Sequence, residues 1–331
     1  MKALVYTGPE RLALEERPDP APGPGEVVVR VAACGVCGSD MHAYLGHDER
    51  RPAPLVLGHE AAGIVETGPR AGARVAINPL VTCMDCEDCL SGRTNLCARR
   101  QILSMPPREG AFAERVVVPE RNLVPVPDHV PLEVAALTEP IACAYHAIGV
   151  AERVLARPVP EWRTVVLGAG AIGVAAALVL RSRGARAILV AEPHAGRRAR
   201  LAAEPGIAPY DPATDPPEAG SAHLVVDAVG SARTREEACR LARPGGAIAH
   251  IGLLERAGGL DVRRLTLQEI AFLGLYTYAM RDFVETLNGL AAGAFGALGW
   301  VEERPLAGGA DAFADIRAGR TEAAKLLLRP S

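Results

Sequence analysis

Six residues, Gly168-Ala169-Gly170-Ala171-Ile172-Gly173, join a short β-branched run to a long apolar one, and few folds accommodate such a junction. Residues 164–167 read as a strand and 172–183 as a helix. Beyond them 187–191, 224–228 and 247–252 have strand composition, while 196–203 and 234–241 have helical spacing. Strands alternating with helices at this interval predict an α/β fold with a doubly wound parallel sheet. Gly168 then permits the tight turn, Gly170 lets the backbone approach a pyrophosphate, and Gly173 lets the helix pack closely on its strand. Ile172 lies in the first helical turn, whose amide groups face the phosphates. Glu192 ends the next strand, where an acid hydrogen-bonds an adenosine ribose and disfavours a 2′-phosphate. The pattern predicts a dinucleotide site that takes NAD. NADP is the weaker expectation, kept open by Arg197 and Arg198 just behind Glu192.

The chain has 331 residues, beyond the ~250–300 at which one hydrophobic core stops growing, so two domains are expected. Residues 3–7, 12–16, 26–32, 61–66, 74–78 and 113–118 are short runs rich in Val and Ile, separated by Pro- and Gly-rich turns. They predict a compact barrel or sandwich. Residues 132–151 change to helical spacing, and the tail holds an expected helix at 281–292 and a strand at 324–328.

Charge excludes several functions. Lys and Arg number 36 against 39 Asp and Glu, a net charge of −3 that gives no support for phosphate neutralisation, so no nucleic-acid partner is expected. Lys2 and Lys325 are the sole lysines, which argues against Schiff-base catalysis and a phosphate-loop lysine. Residues 1–15 lack the apolar run of a secretory leader, and the longest uncharged apolar run, 165–180, is short of the ~20 residues that span a bilayer. A cytoplasmic protein with no membrane partner is expected. There thiols stay reduced, so clustered cysteines point to metal.

Cys83, Cys86, Cys89 and Cys97 have the spacing C-x2-C-x2-C-x7-C. Four thiolates on one short lobe satisfy the closed tetrahedral coordination of structural zinc. The ferredoxin spacing for an iron–sulfur cluster would close with three residues and a proline, whereas Ala98 follows here. Elsewhere Cys37, His59 and Glu60 lie near strand ends, with Ser39 and His42 beside the cysteine and Glu139 at the start of the 132–151 helix. A thiolate, an imidazole and a carboxylate are the donors of an open, catalytic zinc site.

Taken in order, Cys37-Gly38-Ser39-Asp40-Met41-His42, Gly58-His59-Glu60, the four-cysteine lobe, Glu139-Pro140 and the glycine-rich turn resemble the zinc-containing medium-chain alcohol/polyol dehydrogenases over essentially the whole chain. The resemblance implies a GroES-like catalytic domain over 1–140 with a structural-zinc lobe at about 79–100. A Rossmann domain would follow over 141–274, and 275–331 would return to the catalytic domain. It implies two zinc ions, one structural and one catalytic, the latter held by Cys37 and His59 with Glu60, Glu139 or both. Asp40 matches the acid that hydrogen-bonds the histidine ligand, and Ser39 and His42 match a relay carrying the alcohol proton to solvent. The implied reaction moves hydride between a secondary alcohol (polyol, diol, cyclitol or amino-alcohol) and NAD(P), and the implied assembly is a homodimer or homotetramer.

Two other readings compete with this one. A zinc-stabilised, non-catalytic NAD-binding sensor would have no need of Ser39 and His42. A zinc-free quinone or enone reductase of the same fold would not carry Cys37, His59 and the quartet. The chain also departs from the family pattern. Five prolines between 205 and 217 oppose a helix that members have there. The tail reads Leu275-Tyr276-Thr277-Tyr278 where sorbitol dehydrogenases carry an Arg-Tyr pair, which makes sorbitol itself a poor candidate. Tyr44 and Tyr278 are the aromatic candidates for lining a substrate pocket.

Overall fold

The computed structural model describes residues 1–330. Six parallel strands form the cofactor-type sheet, in the order Ile207–Tyr210, Ala187–Ala191, Arg163–Leu167, Ala222–Asp227, Ala242–His250, Ala271–Gly274. Its inner strands are buried on both faces, as their continuous Val, Ile, Leu and Ala content demands. Gly168 takes φ +92°, a left-handed conformation that only glycine adopts cheaply. A Cβ at Gly173 would stand 1.8 Å from the Gly168 carbonyl oxygen, so the helix Ala171–Ser182 can approach its strand no other way. Every residue from Gly173 to Leu180 on that helix is buried. Each fully buried Val or Leu there contributes about 1.5–3 kcal/mol.

A second, mostly antiparallel sheet orders Leu123–Pro125, Arg74–Ile77, Glu60–Val65, Glu26–Gly35, Lys325–Arg329 and Val301–Pro305, and Arg115–Pro119 also pairs with Glu26–Gly35. The tail strand therefore completes the N-terminal sheet: Leu327 and Leu328 pair with Gly35 and Cys34. A three-stranded sheet of Arg11–Glu16, Lys2–Gly8 and Leu55–Val56 flanks it.

The helical stretch at 132–151 divides into Leu132–Ala135 and Thr138–Val154. By length and composition Leu132–Val154 is long and apolar enough to cross a membrane, yet 67% of its most apolar window is buried inside the protein. Thr138–Val154 packs against Ala171–Ser182 and Met280–Ala291 within one hydrophobic core. The proline-rich segment after Gly206 contains a strand, Ile207–Tyr210, but no helix before Ala222. Pro209 is tolerated because this strand is the sheet edge, where a missing amide donor breaks no ladder.

Candidate active site

Cys37 ends the strand-to-helix turn before the helix Gly38–Tyr44 and caps it. Its Sγ accepts from the Ser39 amide at 3.5 Å, and the Asp40 carboxylate accepts from the Cys37 amide at 3.0 Å. This is a capping box built from a cysteine and an acid at the third helical position. It fixes the Cys37 side chain at the start of this helix. The other Asp40 oxygen accepts from the Gly58 amide at 3.3 Å and lies 3.5 Å from His59 Nδ1. One buried carboxylate thus ties the cysteine turn to the histidine turn. The donor atoms of Cys37, His59 and Glu60 all lie within 4.8 Å of one another. Burial opposes a charged His59 ring, yet Asp40 and the Cys37 thiol raise its pKa well above the ordinary imidazole value. A thiol, an imidazole and a carboxylate brought this close are a donor set that suits zinc.

Glu60 reaches the cluster because Gly35 opposite has no side chain: a Cβ there would meet Glu60 Oε2 at 1.9 Å. Both Glu60 oxygens accept from Lys325 Nζ at 2.7 Å, and Lys325 also donates to the Val36 carbonyl at 2.8 Å. Lys325 is 2% exposed and Glu60 1%. Burial would discharge the ammonium, but Glu60 holds the Lys325 pKa above its usual value. Glu139 lies outside the three-donor cluster, and its Oε1 accepts from the Tyr278 hydroxyl at 2.9 Å. Burial pushes the Glu139 carboxyl up to about 7, with Glu60 adding to the rise and His59 opposing it.

The four lobe cysteines also gather within 4.8 Å of one another. Cys83 Sγ stands 3.8 Å from Cys89 Sγ and 3.5 Å from Cys97 Sγ. Zinc–sulfur bonds of about 2.3 Å in a tetrahedron require sulfur–sulfur edges of roughly 3.8 Å. The donor set fits zinc. At the cofactor end, the Glu192 carboxylate is 5% exposed and accepts from the Ala169 amide at 3.0 Å and the His194 amide at 2.9 Å. It therefore lies against the glycine-rich turn.

The alcohol dehydrogenase GroES-like domain family matches residues 23–128, and the zinc-binding dehydrogenase family matches 171–292. An L-galactonate-5-dehydrogenase of Escherichia coli K12 is 31% identical over 307 residues, covering 88% of each chain. This chain belongs to the zinc-containing medium-chain alcohol/polyol dehydrogenase family. It is an oxidoreductase that moves hydride between a secondary alcohol and a nicotinamide cofactor. An L-threonine 3-dehydrogenase of Chelativorans is 31% identical across 99% of this dehydrogenase and 98% of its own length. The structure of an alcohol dehydrogenase from Escherichia coli CFT073 complexed with NADH superposes with a TM-score of 0.89 at 26% identity, covering 99% of both chains. A zinc-binding dehydrogenase from Sinorhizobium meliloti bound to NADP gives 0.88 at 28%, again over 99% of each.

Within the dehydrogenase, the two aromatic candidates for the substrate pocket are placed elsewhere. Tyr44 is 5% exposed and packs against Phe313 with ring centroids 5.3 Å apart, so it belongs to the core of the N-terminal sheet. Tyr278 is fully buried and orients Glu139 instead of lining a pocket. Arg197 is held by the tail: its Nε donates to the Thr321 carbonyl at 3.3 Å. Ser39 and His42 sit three apart on one short helix and share a face. Three residues near the cluster escape sequence reasoning. Arg51 is 3% exposed and donates to Ser39 Oγ at 3.4 Å and to the Ser104 carbonyl at 3.0 Å. Ser104 Oγ is 3.4 Å from His59 Nδ1. Lys325 alone had a usable signal, a lone cation inside the apolar run Ala323-Ala324-Lys325-Leu326-Leu327-Leu328, which needs a buried acid as partner.

Proposed function

We propose that Cys37, His59 and one or both of Glu60 and Glu139 hold a catalytic zinc, that Cys83, Cys86, Cys89 and Cys97 hold a structural one, and that Ser39 and His42 carry the alcohol proton away. The observation that carries this reading is the convergence of Cys37, His59 and Glu60 within 4.8 Å beside Ser39. Asp40 faces His59 Nδ1 and leaves Nε2 as the ligating nitrogen, fixing the tautomer and raising its basicity. When bound, zinc supplies Lewis acidity that lowers the pKa of the substrate hydroxyl. Ser39 takes the hydroxyl proton and hands it to His42, which releases it to solvent. Arg51 donates to Ser39 Oγ and so leaves the serine hydrogen free for that transfer. The carbinol carbon gives hydride to the nicotinamide and becomes the ketone, so a hydride and a proton leave together and the reaction balances.

The cofactor reading favours NAD, with Gly168, Gly170, Ile172 and Gly173 at the pyrophosphate and Glu192 at the ribose; Arg197 is the residue that would admit NADP. The division 1–140, 141–274 and 275–331 accords with the membership of the two main sheets. A homodimer or homotetramer is consistent with the free edge at Ala271–Gly274, and reduced thiols at both metal sites suit the cytoplasm. The substrate is a polyol, diol, cyclitol or amino-alcohol.

Metal analysis combined with reduced-cofactor absorbance tests the reading. About two zinc ions per chain and alcohol-dependent NADH formation are expected. Cys37→Ala should keep the structural zinc and lose turnover. Normal rates in that variant would overturn the mechanism, and a single zinc with no turnover would indicate a non-catalytic nucleotide-binding protein.

A further inference from the structure

Two residues of the cysteine lobe grip the tail on either side of Tyr278. Thr94 and Asn95 lie in the short 3-10 helix Thr94–Leu96, between Cys89 and Cys97. The buried Asn95 donates from Nδ2 to the Tyr276 carbonyl at 2.9 Å, and the Met280 amide donates to Thr94 Oγ1 at 3.3 Å. Arg100 adds a third contact. Its Nη1 donates to the Cys97 carbonyl at 3.0 Å, and its guanidinium carbon lies 4.8 Å from the centre of the Tyr276 ring. Residues 276–280 thus form a strap clamped at both ends by the lobe. At its midpoint Tyr278 is fully buried and donates from its hydroxyl to Glu139 Oε1 at 2.9 Å.

The strap is held against its own preference. Thr277 takes φ +47°, a left-handed conformation that a β-branched residue adopts only at a cost. Its Oγ1 is shut off from solvent and has no hydrogen-bond partner among the described residues, a second unfavourable feature at the same position. Such strain persists only where the surroundings over-determine the chain, and it gathers at functional sites. The clamp supplies that over-determination, and the side chain it aims is Tyr278. The Tyr278 hydroxyl is the sole hydrogen-bond partner of the Glu139 carboxylate among the described residues, so one oxygen is fixed and the other is left for a metal ion.

We propose that Asn95 and Thr94 are positioning residues for the catalytic metal site: by clamping the strap they set Tyr278, and through it Glu139, so that the structural-zinc lobe is felt at the Cys37 site. This rests on the reading in which Glu139 ligates the catalytic metal, and it names what holds that ligand in place.

Cobalt(II) loaded at the open site, with zinc kept in the lobe, gives a colour that reports the open site alone. Its absorption bands and the rate at which a chelator bleaches it should be read for each variant, with metal analysis and a melting curve beside them. Tyr278→Phe should shift the bands and speed bleaching about tenfold, the worth of one hydrogen bond. Asn95→Ala and Thr94→Val should shift the bands in the same direction and speed bleaching about threefold each, while Thr94→Ser keeps the acceptor and should match the parent. Thr277→Gly separates aim from stability. Glycine takes φ +47° without steric cost, so this variant should melt no lower than the parent yet bleach about threefold faster. If Tyr278→Phe alters the cobalt site and the lobe and Thr277 variants do not, the inference is overturned and the place of Glu139 stands. Faster bleaching only in variants that melt lower, with Thr277→Gly unchanged, makes the strap a structural prop and overturns it as well. Bands and bleaching untouched by Tyr278→Phe would remove Glu139 from the metal, and the reading beneath the inference would fail with it.

Discussion

Replacing Lys325 with methionine isolates the electrostatics of the metal cluster. The ammonium donates twice to Glu60 at 2.7 Å and once to Val36 at 2.8 Å, and both charged groups are essentially inaccessible. Methionine fills a similar volume but leaves a buried carboxylate with no counter-charge, a change that costs about 3–5 kcal/mol when one partner of a buried pair is removed. At about 2–4 °C per kcal/mol for domains of this size, the melting temperature should fall on the order of 10 °C. The fall should be largest after dialysis against a chelator that empties the open site. Restoring zinc should recover much of it, because a divalent ion beside Cys37 and His59 gives Glu60 a new counter-charge. The double variant Glu60→Gln/Lys325→Met should melt above Lys325→Met alone, the coupling a double-mutant cycle reads out. If Lys325→Met melts within 2 °C of the parent in the chelated state, the argument that Glu60 depends on this pair is wrong.

Three further outcomes follow from other parts of the fold. Glu192→Gln should weaken NAD and raise the NADP-to-NAD ratio of kcat/KM by about tenfold, since a charge that repels a 2′-phosphate is gone; an unchanged ratio would place the ribose elsewhere. Gly173→Ala has no room for its Cβ beside the Gly168 carbonyl and should cost about 1–3 kcal/mol in stability, read by thermal melting, together with cofactor affinity. Asp282 accepts from the Ala279 amide at 3.0 Å and faces His146 Nδ1 at 2.7 Å, contacts that hold its pKa below the ordinary carboxylate value although burial would raise it. Its contribution is therefore present above the unfolded pKa of about 3.9 and is lost as pH falls through the lower folded value. Asp282→Asn should melt below the parent at pH 7, and the two curves should draw together only as pH falls below the unfolded value of about 3.9.

The parallel sheet was legible because short apolar runs alternate with longer helical ones between Gly- and Pro-rich turns; period alone would not separate a strand buried on both faces from the helix Ala171–Ser182, which is buried from Gly173 to Leu180, but length and flanking residues do. Short strands such as Leu55–Val56 and Val301–Pro305 were not, since two residues show no period and Glu302-Glu303-Arg304 has the composition of a solvated loop. The strand Ile207–Tyr210 hid behind Pro209, which reads as a breaker unless the edge position is known. At the site, Cys37 and Asp40 share one local capping box, whereas His59 comes from a separate turn that Asp40 ties to it, so its place, like the role of Asp40, is suggested by the resemblance of the ordered motifs and not by spacing alone. Tyr44 and Tyr278 misled for the converse reason: whether an aromatic ring lines a cleft or fills a core depends on the segments packed over it, Phe313 in one case and Glu139 in the other.

Those distant segments decide the chemistry of the two acids. Glu60 and Glu139 come from different parts of the N-terminal half, yet each is held by a residue of the tail, Lys325 or Tyr278. The holds are unequal. Glu60 has both oxygens occupied by one cation at 2.7 Å, whereas Glu139 gives one oxygen to a neutral hydroxyl at 2.9 Å and makes no other hydrogen bond among the described residues. Charge-assisted hydrogen bonds are roughly twice as strong as neutral ones, so a metal ion must compete harder for Glu60 than for Glu139. Glu139, however, is the acid that burial keeps near neutrality, and it must give up a proton before it can ligate. Glu60 is thus engaged by a cation, Glu139 disengaged but reluctant to ionise, and the tail that closes the N-terminal sheet sets both terms of that contest.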